Sequence, residues 1–400
     1  MNYIWTKTRH QIDDSDLLNQ VELGVLEHTS DIGRTITALN SVSGAILKSG
    51  SLGNNPTFAS FAFWLRKANI SRLIESQSSP SRLYVPRGRV LHLAPSNVDT
   101  VAFYALSISL ICGNSNVLRV PSEIGFELDE FLCLFSRVLS ENDLSKRCVI
   151  TNYPHSSSVE RSISKRCDAR LIWGGDRRVS EATKVPIKVD GTNLGFSNRY
   201  SMAVINSETY AESDSSERQR IVTAFCRDVF QFDQNACSSP RLLVWLGSIT
   251  NDLAIDFHAR ANEVIISGQT RLESSLVINK FVRSCELISK LRHSKVVINT
   301  PQYSVVRLKS MLDVTVDETC GGFMLEVIAA SIEEFEVLRD RRLQTVSYYG
   351  LSDEQVEKIA FAFNGVGCYR IVPFGSALNF DVVWDGYELF SLLRTQIFRR

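Results

Sequence analysis

The stretch RVLHLAPSNVDTVAFYALSISLICGNSNVLRV, residues 89–120, decides how this chain folds. Arg89 to Leu93 is a short apolar run and reads as a strand; a proline-containing turn, Ala94-Pro95-Ser96-Asn97, follows it. From about residue 100 to 112 the chain is apolar over a helical length. It stops at Gly113-Asn114, two residues that tolerate the left-handed backbone of a helix end. Asn116 to Val120 is the next short apolar strand. Strand, helix and strand in this order form a βαβ unit, and apolar strands of this kind belong to a parallel sheet covered on both faces.

The pattern continues outward from that unit. A helix over about 125–139, a strand at 148–151, a helix over about 156–165 and a strand at 169–173 follow, with a weaker strand at 184–189. A second series opens with a strand at 202–205, a polar loop at 207–216 and an amphipathic helix over about 217–230. A strand at 241–245 leaves the next turn. Helices near 252–264, 277–292 and 352–363 then alternate with strands near 303–308, 343–349 and 367–372. The fold class is α/β. Four hundred residues exceed the roughly 250 at which single cores tend to divide, so two lobes are expected: residues 1–197, with a mostly helical leader before residue 85, and residues 198–400.

Composition excludes several functions. Lys plus Arg and Asp plus Glu both number 44, and no basic block offers a phosphate-backbone footprint, so nucleic acid is not an expected partner. The first 20 residues mix charges with single apolar residues and show no signal sequence. The longest apolar segment, residues 98–112, contains Asp99, Thr100, Ser107 and Ser109 and falls short of the roughly 20 residues a bilayer requires. A cytoplasmic location is expected. The nine cysteines have no Cys-x-x-Cys spacing and the six histidines no His-x-x-x-His pair, so no metal site is expected.

Four turns carry candidate chemistry. Cys237 lies between a helix and a strand, flanked by Ala236, Ser238 and Ser239, residues small enough to let a carbonyl reach the sulfur. Asn97 follows a strand end, where its amide would donate to an oxyanion or cap the next helix. Arg119 and Ser122 flank a strand end and a Pro-Ser helix start, a setting for ribose or phosphate. Gly174, Gly175 and Asp176 follow another strand, and the paired glycines let backbone approach a ligand. Tight turns and solvated charges account equally well for the last two. There is no Gly-x-Gly-x-x-Gly fingerprint.

Taken in order, these turns resemble the aldehyde dehydrogenase superfamily, and Asp233-Gln234-Asn235-Ala236-Cys237-Ser238-Ser239-Pro240 looks most like its LuxC-type acyl-CoA reductases. The resemblance runs from about residue 85 to the C-terminus. It implies a cofactor lobe and a catalytic lobe with the active site between them, Cys237 as the catalytic thiol and Asn97 as an oxyanion donor. Arg119 and Ser122 match the adenosine-ribose turn, and an arginine there points to NADPH, with NADH as the alternative. Gly174 and Gly175 match the pyrophosphate turn, where the family's usual serine is Asp176. Glu318 matches the glutamate that holds the nicotinamide ribose.

Where hydrolytic relatives carry a glutamate base before Leu-Gly-Gly, this chain has Asn193-Leu194-Gly195-Phe196, and an asparagine cannot activate water. The resemblance therefore implies reduction of an acyl thioester, on coenzyme A or a carrier protein, to the aldehyde through an acyl-cysteine. Two alternatives stand beside it: an acylating aldehyde dehydrogenase running oxidatively, and a non-reducing acyl-carrier subunit. An acyl-protein synthetase or acyltransferase is implied as a partner by analogy. The family's C-terminal assembly arm has no counterpart in the sequence, so a homodimer is expected. Phe61, Phe63 and Trp64 are candidates for an acyl channel or for core.

Overall fold

The computed structural model describes residues 2–22, 32–77, 82–95, 100–155, 157–268, 273–317 and 319–398. They form two compact units, residues 1–197 with 380–400, and residues 198–379.

The first unit begins with β1 (Asn2–Trp5) and β2 (Arg9–Ile12), followed by α1 (Asp14–Glu22), α2 (Ile32–Lys48), α3 (Pro56–Trp64) and α4 (Lys67–Ser76). Then come β3 (Arg82–Pro86), β4 (Arg89–Leu93), α5 (Val101–Ile111), β5 (Ser115–Arg119), α6 (Phe126–Glu141), β6 (Cys148–Asn152), α7 (Ser158–Ser164), β7 (Ala169–Trp173), α8 (Asp176–Thr183) and β8 (Thr192–Phe196). The sheet order is β2-β1-β6-β5-β4-β7-β8. β4 to β8 run parallel, and β1 joins β6 antiparallel, with Tyr3 opposite Asn152.

The expected helical leader thus starts with a hairpin that extends the sheet. No strand forms at 184–189 either; the pairing with β7 is made by β8. Helix α5 is buried almost all round and forms the middle of the core, as an apolar helix without a polar face must. Phe58, Phe61, Phe131 and Phe135 pack with it, its own Phe103 lying edge-on to Phe131 with ring centroids 4.7 Å apart. Phe61 is therefore core. Phe63 is exposed, with the Arg66 guanidinium over its ring.

The second unit contains β9 (Tyr200–Asn206), α9 (Ser207–Glu212), α10 (Ser215–Phe230), β10 (Pro240–Leu246), α11 (Asn251–Ser267), α12 (Ser274–Lys290), β11 (Lys295–Asn299), β12 (Ser304–Arg307), β13 (Phe323–Ala329), β14 (Leu343–Tyr349), α13 (Asp353–Phe363) and β15 (Arg370–Pro373). The order β11-β12-β13-β10-β9-β14-β15 puts β10 at the centre. All but edge strand β11 run parallel. Alternate side chains supply two cores: Met202, Val204, Leu242 and Val244 on one face, Ala203, Ile205, Leu243 and Trp245 on the other, the period of two that a pleated strand imposes. The expected loop at 207–216 holds α9, whose N-cap Asn206 accepts the backbone N–H of Thr209.

The last elements, β16 (Val383–Trp384), β17 (Tyr387–Glu388), α14 (Leu389–Leu392) and β18 (Arg394–Phe398), belong to the first unit. The expected second lobe therefore loses its last 21 residues. The reason is pairing and packing: β18 lies antiparallel on β3, and Trp384, Leu389, Phe390 and Leu393 enter the core around α5. The Asn114 side chain donates to the Leu393 carbonyl at 2.8 Å and seals the junction.

Candidate active site

In the second unit, α10 starts at Asp214, whose carboxylate accepts the N–H of Glu217 at 2.8 Å, an N-cap. It ends at Phe230, and residues 231–239 turn the chain into β10. The turn has two left-handed residues, Asp233 (φ 49°) and Gln234 (φ 62°), a conformation costly for non-glycine residues unless neighbours enforce it. Neighbours do enforce it. The fully buried Gln234 amide donates to the carbonyls of Pro240 (2.7 Å) and Phe323 (2.8 Å), and its oxygen accepts the N–H of Gly322 at 3.0 Å. The Asp233 carbonyl accepts the N–H of Gly321 at 2.9 Å.

Cys237 sits on this turn just before the central strand, partly exposed and outside any disulfide. Its carbonyl accepts the Ser201 hydroxyl at 2.7 Å. The carbonyl of Ala236 accepts the N–H of Ser239 at 3.0 Å, so the trans peptide N–H of Cys237 points the opposite way. The thiol of Cys320 donates to the Asn235 side-chain oxygen at 3.4 Å, and burial raises its pKa. Lys280 is buried beneath the 319–322 segment, donating to the carbonyls of Pro301 (2.9 Å) and Gly321 (2.8 Å); burial pulls its ammonium down to about 8. Turn and segment are one hydrogen-bonded assembly.

In the first unit, Arg119, Ser122, Gly174, Gly175 and Asp176 all lie at the carboxyl edge of the parallel strands, because β5 and β7 both flank β4 in register. Open α/β sheets bind ligands at this edge. The buried Arg119 guanidinium donates through Nε and Nη2 to the Tyr153 carbonyl, at 3.3 and 3.2 Å, and burial lowers its pKa. Ser122 is exposed in the bend after β5, and the Asn152 amide holds that bend through the carbonyls of Val120 and Pro121. Gly174 has φ +154°, and a Cβ there would lie 3.2 Å from Arg178 Cγ. Gly175 is the N-cap of α8 with no side chain to bond the first turn, and Asp176 is exposed beside it.

Arg178 pairs with fully buried Glu160 at 3.0 Å. Desolvation, followed by the charges of Arg119 and Arg178, holds His155 to about 4. A glycine turn and a helix start without a side-chain cap suit a dinucleotide's phosphates, so the residues present fit a nicotinamide cofactor. Asn97 and Glu318 lie outside the described residues.

Asn193, on β8, accepts Arg170 Nε at 2.9 Å; the same guanidinium bonds Ser164 and the Val185 carbonyl. Its amide is thus engaged structurally. Sequence reasoning passed over Gln234, Ser201, Lys280, Arg178 and Glu160. A glutamine three residues before the cysteine and a lysine inside the apolar stretch of α12 were the available signals, but neither reveals a partner. Among the described residues, no helix is long and apolar enough to cross a membrane, and no group of three or more His, Cys, Asp or Glu side chains is placed to hold a metal ion.

The architecture is that of aldehyde dehydrogenases. PnpE from Pseudomonas sp. WBC-3 superposes with TM-score 0.68 at 14% identity over 97% of this chain and 90% of that one. A salicylaldehyde dehydrogenase from Pseudomonas putida G7, complexed with salicylaldehyde, gives 0.67 at 12% over 98% and 91%, and lactaldehyde dehydrogenase from Escherichia coli gives 0.62 at 10% over 96% and 87%. No curated protein matches the sequence. The acyl-CoA reductase (LuxC) family model matches residues 66–395, and the chain belongs to that family. It is an oxidoreductase of the aldehyde-acting class, an acyl-CoA reductase.

Proposed function

We propose that the chain reduces a fatty acyl thioester to the aldehyde, with Cys237 carrying the acyl group and NADPH as the reductant. The observation that carries this reading is a partly exposed thiol on a turn held rigid by Gln234 and Ser201, at the head of the central strand. Fixing a nucleophile in one orientation lowers the entropic part of the barrier.

The Cys237 sulfur bonds to the acyl carbon, and the bond from that carbon to the donor's sulfur breaks, releasing coenzyme A or the carrier thiol. The Cys237 N–H and the Asn97 amide donate to the oxygen as it takes up charge. NADPH, when bound, would supply the hydride that reduces the thioester carbon. The bond to Cys237 sulfur then breaks, the aldehyde leaves and the thiolate is regained. Gly174, Gly175 and Asp176 would hold the cofactor's pyrophosphate, Arg119 and Ser122 its adenosine ribose, and Glu318 its nicotinamide ribose. The arginine at position 119 supports NADPH over NADH. Asn193 supplies no base for water, so the free acid is not the main product.

Intact mass of the protein mixed with a medium-chain acyl-CoA, then with NADPH, tests the reading against Cys237→Ala. An adduct that requires Cys237 and leaves as aldehyde on adding NADPH is expected. An adduct that persists would instead identify a carrier subunit. Acyl-CoA and NADPH formation from aldehyde, NADP+ and coenzyme A as the faster direction would identify the oxidative enzyme.

A further inference from the structure

Cys237 is held through a hydroxyl at an unusual place in the sheet. β9 lies between β10 and β14, and the register of both neighbours shifts opposite Ser201: between Pro240 and Leu242 on one side, between Leu343 and Val346 on the other. Each shift is one extra residue, a β-bulge, and bulges release backbone groups from the ladder and occur beside active sites. Ser201 is fully buried in the gap they leave. Its oxygen accepts the Thr345 N–H at 3.2 Å, and its proton goes to the Cys237 carbonyl at 2.7 Å. An N–H can only donate, so the direction of the relay is fixed and the serine proton is committed to Cys237.

We propose that Ser201 is a positioning residue for the Cys237 nucleophile; this rests on the reading of Cys237 as the acyl acceptor. The relay holds the peptide after Cys237, and the Ser239 N–H on the Ala236 carbonyl holds the peptide before it. With both planes fixed, φ and ψ of Cys237 are fixed, and so is the direction of its Cα–Cβ bond relative to its own N–H. The thiol and the oxyanion donor of the same residue then meet one carbonyl together. The two bulges serve this arrangement, because a regular ladder would engage the Thr345 N–H in strand pairing.

The test is the rate of Cys237 acylation by a medium-chain acyl-CoA, followed by rapid quench and intact mass, in the wild type, Ser201→Ala and Ser201→Thr. Acyl-CoA affinity and the urea midpoint are measured alongside. Ser201→Ala is expected to acylate about 10- to 100-fold more slowly with affinity changed less than about 2-fold, the signature of lost orientation. Ser201→Thr, which keeps the hydroxyl, is expected within about 3-fold of wild type. Ser201→Ala at the wild-type rate, or Ser201→Thr no faster than Ser201→Ala, overturns the proposal.

If Ser201→Ala fails to fold, Ser201→Cys is read in its place, since it keeps the shape with a weaker donor. An intermediate rate supports the relay and a wild-type rate sinks it. A wild type that is never acylated on Cys237 overturns the function itself, and the role of Ser201 with it.

Discussion

The side-chain oxygen of Gln234 accepts the backbone N–H of Gly322 at 3.0 Å, while its amide donates to the carbonyls of Pro240 and Phe323. One side chain thus ties the cysteine turn to the starts of β10 and β13. Gln234→Leu leaves two buried carbonyls and one N–H unpaired, each worth about 1–3 kcal/mol. A loss of at least about 3 kcal/mol in urea unfolding is expected, with kcat lowered at least about 10-fold. Unchanged stability would mean that the turn holds its left-handed residues unaided.

Thiol chemistry should single out Cys237. Burial pushes the thiols of Cys112, Cys148, Cys167 and Cys368 up to about 12, and raises Cys226 as well, while Cys285 is exposed. Iodoacetamide at pH 7.5 is expected to modify Cys237 and Cys285 first, because thiolate fraction and access govern the rate. Peptide mapping checks the sites. Activity should fall with Cys237 modification and be unaffected in Cys285→Ala.

Glu326 on β13 accepts from Trp245 (2.6 Å), from Arg307 (2.6 Å) and pairs with His258 (2.9 Å), all buried. Burial alone would raise the carboxyl, but His258 and then Arg307 outweigh it and hold it at about 2. A depressed carboxyl contributes stability above its unfolded value of 4.5 that is lost as pH falls toward 2. Arg307→Met strands a buried charge and should cost about 3–5 kcal/mol at pH 7. Equilibrium denaturation from pH 7 to pH 3 checks both the size and the sign.

Lys280 gives a signal of opposite sign at alkaline pH. Its folded value of about 8 lies below the unfolded 10.5, so the unfolded chain binds more protons between these values and this group's contribution to stability rises with pH there. Subtracting the Lys280→Met curve from the wild-type curve isolates it. The difference should slope upward from pH 8 to 10.5, by at most about 1.4 kcal/mol per unit. A flat difference would show that the ammonium is not desolvated.

Arg119→Met is expected to raise KM for NADPH about 10- to 100-fold, the loss of a charge-assisted contact, and to change KM for NADH much less. Equal effects on both cofactors would assign Arg119 to holding the Tyr153 carbonyl alone.

The α/β class was legible because parallel strands such as β4, β5 and β7 are buried on both faces and read as apolar runs. β13 was not expected, although it lies beside the central strand. Gly321-Gly322 precedes it and Glu326 interrupts it, and the segment is a strand through its pairing with β10 and β12, with that carboxylate buried against Trp245, His258 and Arg307. The hairpin of β1 and β2 was missed for a similar reason: β1 is stabilised by pairing with β6, far along the chain.

By itself the sequence determined the α/β class, the βαβ unit of residues 89–120, the family, and the one cysteine among small residues, because these depend on local composition and spacing. The tertiary structure decided what holds that cysteine and which unit the last residues join. The partners lie far apart in sequence: Ser201 is 36 residues from Cys237, Gln234 is 89 from Phe323, and β18 closes on β3 from the other end of the chain. Local propensity cannot choose among the many polar groups at such separations. Folding chooses, by leaving these groups buried where each must find its hydrogen-bond partner.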